Sequence, residues 1–439
     1  MSSGSAGPAR AGPVDVGVDL GTTFIKAVVL DEAGQVGVGQ VATPWHLRDG
    51  VTYADAADIA DGAATAIDRA LAMADDRPVR ALGATSMGES GVLLDAGGQV
   101  TAPVLAWFDT TCSGEAAELA HLVGEDEFSA RTGVPLDASR SVVKYAWLRR
   151  NVAGTARGTR WLSLAEWLLY WLGGRPATEA SLGARTGFLE LGTGLPYAET
   201  WRWAGAPAGL ISAPETAGRS LGTATRGGRL GPAVLALAGH DHLAAAHGAG
   251  ARADGDVAVS CGTSTTVVRP ATTIDAGAVR QAVRAGLSVG PALEPGRFVL
   301  QGGFMGGRQL DQARTQLHLR LGSAAYDRCD EQAAALLGTP PGSDGPPDPE
   351  PGRPAAVWAQ AARRTWQHVE DIVARSGDYC AGTADRYVVC GGWTKSRAFR
   401  SAAEHGRLTP VTVRDLDEPG ATGAAELARE ASAQAGWPG

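Results

Sequence analysis

Lysine is almost missing from this sequence. Of 39 basic residues only three, Lys26, Lys144 and Lys395, are lysines. GC-rich coding, which favours arginine, accounts for most of that bias, so the placement of the three is the informative point. Cysteine is sparse too: Cys112, Cys261, Cys329, Cys380 and Cys390 are scattered and form no Cys-x-x-Cys pair, so neither a disulfide framework nor a zinc site is indicated. No window approaches 18 consecutive apolar residues, and no membrane span is expected. Residues 1–13 have no apolar h-region and read as a disordered tail, not a signal peptide, which leaves a cytoplasmic, reduced protein as the expectation. There is no excess of positive charge: the net charge of -8 and isoelectric point near 5.6 argue against a dedicated nucleic-acid binder. No Walker loop, no G-x-G-x-x-G opening a βαβ unit in the first half and no G-x-S-x-G elbow occur, which removes the usual P-loop, dinucleotide and serine-hydrolase readings.

Glycine, by contrast, is abundant: 60 of 439 residues, about twice the usual share of roughly 7%. Strand-like runs alternate with helix-like ones, as in Val14–Leu20, Phe24–Asp31, the helix Ala54–Ala74 and the strand Arg80–Ser86, which predicts an α/β fold. Gly91–Val100 reads as a hairpin, Trp161–Trp171 as a buried helix after a short strand, and the proline-rich stretch Thr339 to Pro354 as a surface loop. A strand, a Gly-Thr-[Thr/Ser] turn and a second strand occur at Gly21-Thr22-Thr23 and again at Gly262-Thr263-Ser264. The expectation is two duplicated lobes, 14–228 and 229–439, with a cleft between them.

Several residues in these turns suit phosphate chemistry. Tight glycine turns present N–H groups and hydroxyls to an anion. Asp19, at the end of the first strand, suits a hydrated Mg²⁺, and Lys26 is placed to reach the same anion; an ordinary hairpin is the competing reading. The cluster at Gly391, Gly392 and Lys395 follows a strand and opens a helix, a place for an adenosine; Gly302, Gly303, Gly306 and Gly307 form a weaker one. Asp241, between His240 and His242, follows an apolar strand, where ligands collect in open α/β sheets. It suits a general base for a hydroxyl nucleophile, with a helix N-cap as the plainer alternative. A metal bound by His-Asp-His is disfavoured because adjacent side chains diverge at a helix start. Met87, Glu89, Trp107 and Asp109 supply the carboxylates and aromatic wall that a polyol needs.

Taken in order, DLGTTFIK, SMGESG, AWFDTT, GHDH, SCGTST and GGWTKS make the chain resemble the FGGY family of carbohydrate kinases, of the actin-like ATPase superfamily. The resemblance spans roughly Val14 to Gln434. It implies two ribonuclease-H-like lobes, ATP and Mg²⁺ in the cleft between them, and phosphoryl transfer to a hydroxyl of a sugar or polyol. Asp19, Gly21, Thr22 and Thr23 would form the first phosphate motif and Gly262, Thr263 and Ser264 the second. Gly306, Gly391, Gly392 and Lys395 would attend the nucleotide. Asp241 would be the base and, with Asp19, a metal carboxylate; Glu89, Asp109, His240 and His242 would lie near the acceptor. A small-molecule acceptor is the implied partner, with no nucleic acid or membrane, and a homodimer stays open. Three departures stand out: Thr111 where the family usually has arginine, Trp393 where a small residue is common, and the proline-rich loop in place of a longer G-E-R-x-P segment. They leave room for a modified sugar or cyclitol as acceptor, and a non-catalytic ligand sensor on the same fold is the remaining alternative.

Overall fold

Alternating β-branched and small residues build the first strand, Val14–Leu20, whose side chains are buried on both faces almost throughout. A strand covered on both sides needs helices above and below it, and the computed structural model, which describes residues 12–75, 77–271, 275–338, 353–379 and 383–436, supplies them. The first sheet runs Ser220–Thr223, Val234–His240, Val79–Ser86, Val14–Leu20, Phe24–Leu30, Gln35–Ala42. Its last three strands form an antiparallel meander, while Val79–Ser86 and Val234–His240 add parallel to the first. The second sheet repeats this plan. Asp256–Cys261, Thr265–Ala271 and Phe298–Phe304 are the antiparallel meander, with Ser288–Pro291 at its edge, and Arg386–Cys390 and Val411–Val413 add in parallel. The duplication expected from the two turns is therefore present at the level of strand order.

Val234–His240 is the last strand of the first sheet in chain order and pairs in parallel with Val79–Ser86, so Asp241 follows directly from that sheet. The helix Pro419–Gln434 also returns to the first sheet. Gly17 and Gly83 allow this: a Cβ on either would lie 1.8 Å from the carbonyl oxygen of Ala421 or 2.0 Å from that of Ala424, so only bare strand backbone admits the helix. Arg429 and Arg80 both pair with the buried Asp15 carboxylate at 2.6 Å, tying that helix to the first strand.

One core, largely aliphatic, lies under the first sheet; the core under the second also holds Trp358, Trp366 and Phe399, and a third with Phe128, Tyr145, Trp161 and Phe188 fills a largely helical insertion that reaches Ile211. Local details differ from the sequence reading. Trp161 lies on the strand Gly158–Ser163, and the helix starts at Leu164 behind a Ser163–Glu166 capping box. Gly91–Asp95 pairs with that strand on one side and turns back as the expected hairpin on the other, Asp95 N–H donating to the Gln99 carbonyl and Thr101 N–H to the Leu93 carbonyl, each at 2.9 Å. Gly302 and Gly303 belong to a strand rather than a turn, and the helices Glu125–Thr132 and Ala276–Arg284 are additions to the sequence reading. The expected tail falls on residues 1–13 and the expected loop on 339–354; residues 1–11 and 339–352 lie outside the described residues. Among the described residues no helix is long and apolar enough to cross a membrane.

Candidate active site

Both glycine–threonine turns open onto one cavity of about 200 Å³ between the sheets. The first turn is closed by Gly21 N–H donating to the Phe24 carbonyl at 3.2 Å and is pinned from outside. Trp107 Nε1 donates to Thr22 Oγ1 and Trp45 Nε1 to the Thr22 carbonyl, each at 2.8 Å, while Thr43 Oγ1 donates to the Gly21 carbonyl at 2.7 Å. In the second turn Gly262 N–H donates to the Ser264 carbonyl at 2.9 Å, and Arg308 N–H holds the Thr263 carbonyl at 3.0 Å. Gly391, at φ +101°, brings the third motif beside the end of Asp256–Cys261, with room for a Cβ only 2.6 Å from the Cys261 carbonyl.

Asp19, Gly21, Thr22, Thr23 and Lys26 line the cavity from the first sheet. Gly262, Thr263, Ser264, Gly391 and Gly392 line it from the second, and Asp241 and His242 from the helix between them. Seven expected nucleotide or substrate residues do not line it: Gly306, Lys395, Met87, Glu89, Trp107, Asp109 and His240. Gly306 packs against Thr265 and Phe304 behind the second turn; Lys395 is largely exposed and pairs with Asp417 at 2.6 Å; Met87 is buried in the first core. Glu418 and Gly420, at the start of the last helix, line the cavity without having been singled out from sequence. A Cβ on Gly420 would lie 2.8 Å from Asp19 Oδ2. A glycine behind Glu-Pro at a helix start was the one available signal.

The two acids behave differently. Burial and the facing Asp241 carboxylate push Asp19 up to about 7, against the pull of Lys26. Its Oδ1 is buried without a hydrogen-bond partner among the described residues. Such a carboxylate oxygen, aimed into a cavity that holds a second carboxylate, fits a hydrated divalent cation. Burial alone would also raise Asp241, but His242, His240 and the His242 amide outweigh it and hold the carboxyl below its ordinary value. A buried relay that the sequence does not reveal holds the backbone of the preceding His240: Glu166 accepts from Glu179 N–H at 2.7 Å, Glu179 from Ser181 Oγ at 2.6 Å, and Ser181 Oγ from His240 N–H at 2.9 Å. Burial pushes Glu166 up to about 8.

The expected acceptor residues are already engaged. Burial would raise Glu89, but Arg185 at 2.6 Å and Arg140 at 3.2 Å overcome it and hold the carboxylate strongly ionised. Gly88 makes this possible, since a Cβ there would sit 2.6 Å from Arg185 Cδ, and Arg185 also reaches Gln301 of the second sheet at 3.0 Å. Asp109 accepts from the Thr52 and Thr111 amides at 2.6 and 2.9 Å; these bonds offset burial and lower its pKa. The buried Lys144, pushed down to about 8 by burial, donates to the Ala138, Ser139 and Trp107 carbonyls and braces this wall.

The chain is 30% identical over 213 residues to glycerol kinase 2 of Streptomyces avermitilis, covering 45% of this chain and 41% of that one. It is 29% identical over 265 residues to the xylulose kinase of Streptomyces rubiginosus, covering 59% and 54%. The matches thus span about half the length of these curated relatives. The fold resembles those of a xylulose kinase from Brucella ovis (TM-score 0.80, 21% identity, 96% of this chain and 91% of that) and Plasmodium falciparum glycerol kinase with ADP (TM-score 0.76, 15% identity, 95% and 89%). Residues 14–229 match the N-terminal domain of the FGGY family of carbohydrate kinases. Residues 14–229 therefore belong to that family, and both repeats fold on the actin-like ATPase plan around one cleft.

Proposed function

We propose that the chain is an ATP-dependent kinase that phosphorylates a hydroxyl of a sugar or polyol. One observation carries the reading: both glycine–threonine turns, Asp19 and Asp241 face a single cavity. The turns offer backbone N–H groups and hydroxyls to a triphosphate, and Gly391 and Gly392 leave bare backbone for the nucleoside. Asp19, with Asp241 opposite, would hold Mg²⁺, whose chemistry when bound is to neutralise charge on the phosphates. Asp241 accepts the proton of the attacking hydroxyl; its lowered pKa keeps it ionised for that purpose. Trp107 joins the two halves of the reaction, since the indole that pins Thr22 belongs to the acceptor wall.

The engagement of Glu89 by two guanidiniums and of Asp109 by two amides favours a second reading of the acceptor, a modified sugar or cyclitol rather than an ordinary pentulose or hexulose. An ADP-release assay against a panel of sugars, polyols and cyclitols tests both. Turnover with one member is expected; ATP binding without turnover on any member would support the non-catalytic alternative and overturn the kinase reading.

A further inference from the structure

The side chains of His240, Asp241 and His242 converge. His240 Nε2 lies 3.3 Å and His242 Nδ1 3.8 Å from Asp241 Oδ1, and each of the three residues offers a ligand atom within 4.8 Å of the other two. The expectation that adjacent side chains diverge fails because His240 ends a strand, with extended backbone at ψ 139°, whereas Asp241 begins the helix. The imidazoles therefore meet edge to face, with ring centroids 5.1 Å apart.

A further observation points to a ligand. His242 Nε2 is 3.2 Å from Thr266 Oγ1, so the nitrogen remote from Asp241 is held by a hydroxyl, as a metal-binding imidazole is usually oriented by a partner on its other nitrogen. His240 is 5% exposed and turns its Nε2 toward Asp241. The donor set of two imidazoles and one carboxylate differs from what Mg²⁺ takes. Imidazole suits zinc, copper and nickel, whereas Mg²⁺ takes oxygen ligands.

We propose that His240, Asp241 and His242 form a binding site for a divalent transition-metal ion of the zinc class, and that an ion held there removes Asp241 from its work as base. The inhibitory consequence rests on the kinase reading; the site itself does not.

Cobalt(II) is the probe, titrated into the full chain without nucleotide or acceptor and read by its visible d–d absorption. A saturable band is expected, displaced by Zn²⁺ and not by excess Mg²⁺. His242→Asn should weaken cobalt binding by roughly tenfold or more, and Thr266→Val, which removes the orienting hydroxyl, by a comparable factor. Asp19→Asn should leave the band in place. His240→Gln provides a second ligand variant, and melting curves report whether each variant folds. Absence of a band, or a band lost in Asp19→Asn and retained in both folded histidine variants, overturns the proposal; the second outcome puts the ion on the carboxylate pair. A protein that binds cobalt but phosphorylates nothing would remove the kinase reading alone. An active protein with no band would remove this proposal alone.

Discussion

Lys26 stands opposite Asp19 in the antiparallel register, yet its ammonium is paired with Glu418 at 2.5 Å. Burial would lower Lys26, but Glu418 and Asp19 outweigh it and raise the pKa, so the lysine enters the cavity fully charged and partly committed. Replacing Glu418 with Gln frees that charge for a phosphate, and nucleotide should bind tighter. Lys26→Met should weaken it by roughly tenfold, the size of one charge-assisted hydrogen bond. Isothermal titration with a non-hydrolysable ATP analogue checks both directions; equal affinity in all three proteins would show that Lys26 does not reach the phosphates.

Asp241→Asn removes the proposed base while leaving the turns intact. Turnover on the identified acceptor should fall by about 10² to 10⁴, with nucleotide affinity retained. Near-normal turnover in this variant would remove Asp241 from its role.

Asp19 makes stability and cation binding depend on pH. Its folded pKa of about 7 exceeds the ordinary 3.8, so between those values the native state holds a proton that the unfolded chain has lost. This group's contribution is full below the ordinary value and is lost as pH rises through about 7. A divalent cation needs the ionised carboxylate, so the thermal shift produced by Mg²⁺ should be small one unit below that value and large one unit above it. Asp19→Asn should flatten both trends. An Mg²⁺ shift independent of pH would contradict the assignment.

Gly307 and Gly262 make a matched pair of substitutions. A Cβ on Gly307 would lie 1.8 Å from the Gly262 carbonyl oxygen, backbone that cannot step aside, whereas one on Gly262 meets only the Ser264 oxygen at 3.8 Å. Gly307→Ala should cost about 1–3 kcal/mol of stability in urea melts. Gly262→Ala should fold normally and weaken nucleotide binding, because its new methyl points into space that a phosphate needs. Equal stability of the two variants would mean that the helix and the turn adjust together.

The parts of the site legible in sequence were those made locally. Gly21-Thr22-Thr23, Gly262-Thr263-Ser264 and Gly391-Gly392 are turns whose chemistry lies in adjacent residues, and all three reach the cavity. What stayed hidden depends on distant packing. Glu418 and Gly420 arrive because small residues let the last helix lie on the first sheet. Arg140 and Arg185 neutralise Glu89 from other elements, which no reading of SMGESG alone reveals. The placing of one strand depends on packing in the same way: Val234 to His240 is apolar in either sheet, and only its pairing with Val79–Ser86 decides which one it joins.

The return of Pro419–Gln434 to the first sheet also bears on how the chain is made. During synthesis the strands Val14–Leu20 and Val79–Ser86 leave the ribosome long before the helix that seats on Gly17 and Gly83. Until then that glycine-floored face and the Asp15 carboxylate lack their lid. The nascent first repeat therefore stays incompletely buried until residues 419–434 have emerged, although its own strands are complete by His240.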